Sequence, residues 1–354
     1  MKLEDLGYTS FLNDYRIEND LAGFDVGRVV VEHKDRYVVK SDNSEYECEL
    51  IGNLRYNAES RADLPAVGDW VAISAYDTDK ALIHAIYPRH SIMERQAVGK
   101  TGQKQIIATN IDYGLIVLAV NRDFNINRVE RYLTICNASK VSPVILLNKV
   151  DLIDNKAMDA LLDQLKDRIK NVPILAISNY SQKGIAELKK IIHFGKTYCL
   201  LGSSGVGKSS LINTLSDQEV MQTGEISESI DRGRHVTSHR ELILLKNGGI
   251  IIDNPGMREV GITSSTCGLE MTFDDIYALA KDCRFNDCTH TTEKDCAVLD
   301  ALENGDLDQE LYYNFQKMVR EQERFEISEH ERRRKRKNAS KMIRRVIKNK
   351  HGDG

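Results

Sequence analysis

Eight consecutive residues limit the fold of this chain more than any other feature: Gly202-Ser203-Ser204-Gly205-Val206-Gly207-Lys208-Ser209. They fit the Gly-x4-Gly-Lys-Ser pattern of a phosphate-binding loop. An apolar run, Tyr198-Cys199-Leu200-Leu201, precedes them, and an apolar-periodic segment over residues 208 to 215 follows. A buried strand turning into a helix is the context this pattern needs, so the surrounding fold is expected to be α/β. Glycines let backbone amides converge on phosphate oxygens without Cβ clashes, and the helix N-terminus adds positive potential. Lys208 is expected to reach the β and γ phosphates and Ser209 to ligate magnesium, with Ser210 in the same nucleotide-binding set. A Gly/Ser-rich turn with no ligand is the plain alternative; strand, spacing and helix together count against it.

A phosphate loop specifies a nucleoside triphosphate and leaves the base open. Asn148-Lys149-Val150-Asp151 speaks to the base, because it ends the apolar run Val144 to Leu147, where ligands of open α/β sheets collect. A carboxylate at Asp151 can accept both the N1 imino and the 2-amino hydrogens of guanine. Adenine offers no such donor pair, so the wrong base leaves a buried charge unpaired. Asn148 can bridge to the N7 edge, and the Lys149 stem can cover the ring. As a polar loop entering a helix, the same residues need no ligand. Ser178 and Asn179 follow the run Val172 to Ala176 and are expected to turn a backbone amide toward the guanine O6. Asp253-Asn254-Pro255-Gly256 follows Ile250 to Ile252; there Asp253 can hold magnesium through water and the Gly256 amide can contact the γ-phosphate. Alone, Asn-Pro-Gly is a tight turn.

The remaining pattern divides the chain. Residues 1–25 form an N-terminal extension, with a short helix carrying Leu6, Phe11 and Leu12 on one side. Between Gly27 and Tyr87 short β-rich runs, Arg28 to Val31, Tyr37 to Val39, Tyr46 to Ile51 and Asp69 to Ile73, alternate with turn residues, which predicts an OB-fold β-barrel over 26–92. From Ile111 onward continuous apolar runs alternate with amphipathic segments near 127–139, 156–170, 184–193 and 208–215, which predicts a parallel sheet covered on both faces within 100–261. Beyond Ile262 the strand pattern stops, and a mostly α, zinc-binding domain is expected over 262–327.

In that region Cys283, Cys288, His290 and Cys296 offer three thiols and one imidazole within 14 positions. Such a Cys3His set suits tetrahedral zinc with no open position, hence a structural ion. Zinc would stabilise a segment too poor in apolar residues to form a core alone. The other four cysteines, Cys48, Cys136, Cys199 and Cys267, are scattered; with an odd total of seven, this favours reduced thiols over a disulfide framework. The net charge of −4 is uneven: residues 328–354 hold 11 Lys or Arg against three acids, a net of +8, which leaves −12 on residues 1–327. This basic helical tail is either a solvated face or a nucleic-acid contact. No apolar run approaches the roughly 20 residues of a bilayer span, and the first residues lack a basic region followed by an apolar core. A cytoplasmic location with no membrane partner is expected.

The four nucleotide elements resemble the motifs of GTPases in rotated order: Asn148 to Asp151 and Ser178 precede the phosphate loop, and Asp253 to Gly256 comes last. The chain thus resembles a circularly permuted GTPase, an order that can leave the pocket intact because domain termini often lie close together. With a β-barrel ahead and a Cys/His cluster behind, it resembles the ribosome small-subunit-dependent GTPase A (RsgA) family over roughly residues 25 to 330. The resemblance implies GTP and GDP as ligands with Mg2+, one Zn2+ at the same four residues, and the small ribosomal subunit and its rRNA as partners. It implies GTP hydrolysis to GDP and phosphate, stimulated by that subunit during its late maturation. A monomer is expected.

The segment Gly233 to Leu242 resembles the family's switch segment, usually Gly-Arg/Lys-His-Thr-Thr, with Val236 in place of the first Thr. That resemblance makes Thr237 a magnesium ligand beside Ser209 and Asp253. Met257 follows Gly256 where a Ras-like enzyme has Gln; Met cannot make the hydrogen bonds that orient water. Slow intrinsic hydrolysis is therefore expected, with His235 or a ribosomal group positioning the water. The other reading of His235 is an exposed loop residue or an RNA contact. Because Asp253 to Gly256 runs almost directly into the cysteine-rich region, γ-phosphate contacts and that region are expected to move together. The competing function is a GTP-dependent rRNA-binding scaffold with negligible hydrolysis, which the absent Gln favours. An ATP-using nucleic-acid enzyme leaves Asp151 unexplained.

Overall fold

The computed structural model describes residues 1–33, 36–42, 44–58, 60–96, 104–121, 124–216, 240–253 and 266–350, with side chains to Glu331 and at Arg334. The chain separates into two compact units, Met1–Glu94 with Ile106–Val260, and Arg95–Gln105 with Gly261–Gly354.

The first unit opens with a short 3-10 turn, Leu3–Leu6, and helix α1 (Ser10–Glu18). Leu6 and Leu12 are buried beside Trp70 and Tyr87. Phe11, expected on the same side, is exposed; neighbours in a helix point about 100° apart, so one narrow face takes only one of the pair. Strands β1 (Asp25–Glu32), β2 (Tyr37–Lys40) and β3 (Glu45–Leu50), helix α2 (Gly52–Asn57), and strands β4 (Trp70–Ala75) and β5 (Lys80–Ile86) follow. They pair in the order β1-β2-β3-β5-β4, and β4 closes back onto β1. This is the expected OB-type barrel, here with five strands, filled by Val29, Tyr37, Val39, Cys48, Val71, Ile73, Ala81 and Ile83. The sequence reading named four of its strands; the fifth, β5, pairs with β3 in parallel and with β4 antiparallel.

Strands β6 (Ile92–Gln96) and β7 (Lys104–Thr109) form a two-stranded sheet. Then come β8 (Tyr113–Ala119), α3 (Ile126–Ala138), β9 (Ser142–Asn148), α4 (Asn155–Arg168), β10 (Ile174–Ala176), α5 (Ile185–Ile191), β11 (Thr197–Leu201), α6 (Lys208–Ser216), β12 (Glu241–Leu244) and β13 (Ile250–Asp253). Their order is β10-β9-β8-β11-β13-β12. The first five are parallel, and β12 runs antiparallel to β13. Strands buried on both faces must be apolar throughout, which explains the unbroken runs of β8, β9 and β11. One core contains Ile116, Leu133, Ile145 and Ile252, and another contains Leu115, Val117, Leu188, Leu200 and Leu211.

Strand β1 joins barrel to sheet. Its first half pairs with β4, and Val31 pairs with Glu241 of β12. An irregularity between Val29 and Val31 separates the two pairings; an extra residue there bends the strand from one partner to the other. At this corner Arg28 is buried and donates to Leu6 O (2.6 Å), Gly68 O (3.1 Å), Asn110 O (3.1 Å) and Thr197 Oγ1 (3.0 Å), with its guanidinium carbon 5.5 Å from the Trp70 ring centre. Burial lowers its pKa to about 10 against the opposing pull of Asp112 and Asp69.

The second unit is helical: α7 (Thr266–Thr272), α8 (Asp274–Ala280), α9 (Ala297–Asn304) and α10 (Gln309–Lys350). It has its own core of Leu269, Phe273, Ile276, Val298, Phe315 and Met318, contrary to the expectation that this segment is too apolar-poor to form one. The long helix α10 supplies the missing apolar residues. Among the described residues no helix is long and apolar enough to cross a membrane.

Candidate nucleotide and metal sites

The phosphate loop leaves the end of β11 through two positions that only glycine can occupy. Gly202 has φ 150° and a Cβ there would lie 2.4 Å from Val117 O; Gly207 has φ 99° and a Cβ would lie 2.5 Å from Asn148 Nδ2. Between them Val206 is buried and fastens the loop to the core of α6. Ser204 and Gly205 are exposed, whereas Ser203, Ser209 and Ser210 are half-buried. Lys208 Nζ donates to Gly202 O (2.8 Å) and Ser203 O (2.7 Å). Burial lowers its pKa, and the carboxylate of Asp253, buried at the end of β13, opposes that shift.

The loop after β9 crosses the phosphate loop. Asn148 Nδ2 donates to Val206 O (2.8 Å), and Lys149, held at φ 63°, donates from Nζ to Gly205 O (2.7 Å). Val150 is buried and anchors the turn, which leaves Asp151 exposed. The Ser178 hydroxyl, after β10, donates to Asp151 Oδ1 (2.5 Å) and accepts from the Ser181 amide (3.0 Å). Asn179 Nδ2 donates to Gly207 O (3.4 Å). Residues 148–151, 178–179 and 202–209, separate in sequence, therefore meet. Asn148 Oδ1 and Asn179 Oδ1 are buried without a hydrogen-bond partner. Buried polar atoms are rarely left unpaired, so two of them beside the loop mark a place for a polar ligand. His235, Thr237 and Gly256 lie outside the described residues.

The second site gathers Cys283, Cys288, His290 and Cys296, whose ligand atoms all lie within 4.8 Å of one another. Cys283 Sγ is 3.6 Å from His290 Nδ1 and 3.8 Å from Cys296 Sγ, and His290 Nδ1 is 3.4 Å from Cys296 Sγ. Two thiolates about 2.3 Å from a tetrahedral zinc ion lie about 3.8 Å apart, and a thiolate and an imidazole nitrogen about 3.6 Å apart. The donor set can therefore hold zinc, and the bound ion would act as a closed structural cross-link. His290 takes φ 56° in a tight loop. Glu293 ties that loop by accepting from Thr289 Oγ1 (2.5 Å) and the amides of Thr289 (2.8 Å) and Thr291 (2.9 Å), bonds that hold its carboxyl well below the usual range. His290 O accepts from Tyr312 Oη (2.5 Å) and Gln316 Nε2 (3.5 Å) on α10.

Sequence reading missed these two α10 residues and also Arg128, whose Nη1 donates to Ser203 Oγ (3.2 Å). Tyr312 and Gln316 sit four apart, hence on one helix face, but nothing in the sequence tied that face to His290. Arg128 lies 75 positions before its partner.

A family model described as RsgA GTPase matches residues 86–263. A second, described as ABC transporter, matches residues 186–350; both spans contain the phosphate loop. A protein of Listeria innocua named small ribosomal subunit biogenesis GTPase RsgA 1 is 43% identical over 91% of this chain and 89% of its own length. One of the same name from Bacteroides thetaiotaomicron is 37% identical over 92% and 90%. Among solved structures, YjeQ from Thermotoga maritima has a TM-score of 0.61 at 25% identity, covering 84% of this chain and 98% of that one. YloQ, described as a circularly permuted GTPase, has a TM-score of 0.60 at 26% identity, covering 84% and 94%. The fold, the rotated order of its nucleotide elements and these likenesses agree, and the chain belongs to the RsgA GTPase family.

Proposed function

We propose that this chain is a GTP hydrolase of small-ribosomal-subunit biogenesis, binding that subunit and its rRNA and turning over GTP under its stimulation. The observation that supports the reading is the junction of two loops: Asn148 and Lys149 donate to the carbonyls of Val206 and Gly205, as a loop reading the base beside a phosphate loop requires. The relatives bear the name of such GTPases. The alternative of a scaffold without hydrolysis has no observation in its favour beyond Met257.

In this pocket Asp151, oriented by Ser178, accepts the N1 and 2-amino hydrogens of guanine. Asn148 and Asn179 border the base, and the Lys149 stem covers it. The amides from Gly205 to Ser209 and the Lys208 ammonium hold the phosphates. Ser209, half-buried, and Asp253, buried close enough to influence Lys208, suit a magnesium site together with Thr237. When bound, that ion neutralises charge on the β and γ oxygens. Gly256 contacts the γ-phosphate and His235 orients water in the same reading.

We further propose the division into extension 1–25, barrel 26–92, GTPase domain 100–261, zinc-binding domain 262–327 and basic tail 328–354. The protein would act as a cytoplasmic monomer, the tail adding a salt-dependent phosphate contact. The test is GTP turnover titrated with purified small subunits, with Lys208→Ala as control and GDP against ADP in equilibrium binding. Stimulated turnover that Lys208→Ala abolishes is expected. Nucleotide binding without stimulation at any subunit concentration rejects the reading.

A further inference from the structure

We propose that Arg128 supplies, from within the chain, a cation that balances charge on the phosphoryl group during transfer. The proposal rests on the GTPase reading above and assigns a catalytic residue that neither the sequence motifs nor the likenesses name.

Several cations of the same unit sit on carboxylates, while Arg28, Lys149 and Lys208 bond mainly carbonyl oxygens. Arg89 is 2.6 Å from Asp69, Arg168 is 2.6 Å from Glu130, and Lys196 is 2.8 Å from Asp112. Among the described residues Arg128 has no carboxylate partner. Its guanidinium is exposed and gives one hydrogen bond to a neutral group, the Ser203 hydroxyl at 3.2 Å. Ser203 thus carries two of the cations that bond this loop, its carbonyl accepting from Lys208 Nζ at 2.7 Å and its hydroxyl from Arg128 Nη1, while Lys149 Nζ bonds Gly205 O. The ammonium that serves the terminal phosphates and the guanidinium are separated by the breadth of one residue.

The mounting of Arg128 is rigid at its base and free at its tip. Asn125 caps α3 by accepting from the Arg128 amide (3.1 Å), and the next positions, Val129, Tyr132 and Leu133, are buried. The Arg128 backbone is therefore fixed while its long side chain remains in solvent, able to exchange a weak neutral acceptor for an anionic one. Such an exchange is favourable because guanidinium bonds to anionic oxygen are about twice as strong as neutral ones.

Hydrolysis creates the demand. Water oxygen bonds to the γ phosphorus and the bond from that phosphorus to the β–γ bridging oxygen breaks. The electron pair stays on GDP, and a proton of the water ends on inorganic phosphate. Negative charge on the three equatorial oxygens and the bridge must be met as this happens, and a planar fork of N–H donors meets two oxygens at once where a lysine meets one.

The experiment compares wild type, Arg128→Ala, Arg128→Lys and Lys208→Ala as full chains. It follows GDP affinity, single-turnover and subunit-stimulated GTP hydrolysis, capture of GDP–aluminium fluoride, and the thermal midpoint. For Arg128→Ala a fall in kcat of about 100-fold or more is expected, with GDP affinity and KM within about twofold, an unchanged midpoint, and lost aluminium fluoride capture; Arg128→Lys recovers part of the rate. Turnover of Arg128→Ala within about threefold of wild type overturns the proposal alone. So does an equal loss of GDP affinity and rate, which marks a loop-holding role. Absence of turnover in the wild type overturns the GTPase reading together with it.

Discussion

The nucleotide pocket and the cysteine cluster are assembled in opposite ways. The proposed pocket would draw on residues 148–151, 178–179, 202–209 and 253, which different strands carry to one end of the sheet, and its internal contacts run mainly to backbone: glycine torsions, Val206 O, Gly205 O, Gly207 O. The cluster takes all four donors from 14 neighbouring positions and holds them through one tight loop and one helix. The first is a product of the whole sheet and should fail only when the sheet fails. The second is local and should depend on its ion, because the other ties on its loop are hydrogen bonds from one acid, Glu293, and from two residues of α10.

Metal removal tests this difference with the largest expected effect. Chelation, or Cys296→Ser, should destabilise the helical unit by about 5 kcal/mol or more, read as a lower melting transition, even though the core of Phe273, Phe315 and Met318 still supports its helices. GDP affinity should stay unchanged. If the pocket lost affinity in step with the metal, the two regions would not be independent and the contrast would collapse.

The converse experiment strikes the sheet. Arg28 bonds four segments at the corner where barrel meets sheet. Arg28→Ala strands the carbonyls of Leu6 and Asn110 in a buried place, Gly68 O keeping its bond from Asn110 Nδ2, and opens a cavity, so a loss of about 3–5 kcal/mol in the stability of the first unit is expected from its denaturant unfolding. Arg28→Lys should recover less than half, since one ammonium cannot span acceptors that a guanidinium reaches from several nitrogens. Zinc affinity of the second unit should not move.

Within the pocket, Asp151→Asn sharpens the comparison by changing one ligand contact and no packing, because Asp151 is exposed. The bond from the 2-amino group is lost and the N1 bond passes from a charged to a neutral acceptor, and GDP affinity should fall by about 3 kcal/mol, on the order of 100-fold. A carboxamide can donate to a 2-oxo group, so xanthosine diphosphate should gain what GDP loses. Equal weakening of both nucleotides would mean Asp151 acts by shaping the loop.

The same division governs what was legible in the sequence. Residues whose chemistry admits few substitutes could be read directly: Gly202 and Gly207 because no Cβ fits, and Cys283, Cys288, His290 and Cys296 because they fall within 14 positions and meet in the fold. The alternating apolar and turn runs gave the OB-type barrel, and the unbroken runs gave the α/β sheet. Long-range partners were hidden. Arg28 reads as one residue of a β run, and nothing local announces that Leu6 and Thr197 converge on it. The pairing of Val31 with Glu241 unites barrel and sheet across 210 positions, a span over which strand patterns carry no register. Strands β6 and β7 were overlooked because their buried part is a short run, Ile106 to Thr109 with Met93 on the other strand, that shows no alternation. Tyr312 and Gln316 were unreadable for the same reason as Arg128: each serves a backbone or hydroxyl oxygen far away in sequence, and such acceptors leave no mark on residue type.

The smallest effect probes how far the cluster's locality extends. Tyr312→Phe keeps the buried ring and removes only the bond from its hydroxyl to His290 O. Gln316 still donates to Thr289 O at 3.1 Å, so the carbonyl side of the loop remains tethered. A loss of about 1 kcal/mol is expected, equivalent to about fivefold in zinc affinity measured by competition with a chelator. This lies below the 10–100-fold typical of partners that bond a ligand's own donor ring, because the bond reaches the backbone of His290 and not its imidazole. Tyr313→Phe, on the exposed neighbour, should fall within about 0.5 kcal/mol of wild type. Were Tyr312→Phe equally silent, α10 would merely pack beside the cluster. A loss beyond about 3 kcal/mol would instead make that helix part of the metal site, and the cluster would no longer be the local structure its 14 positions suggest.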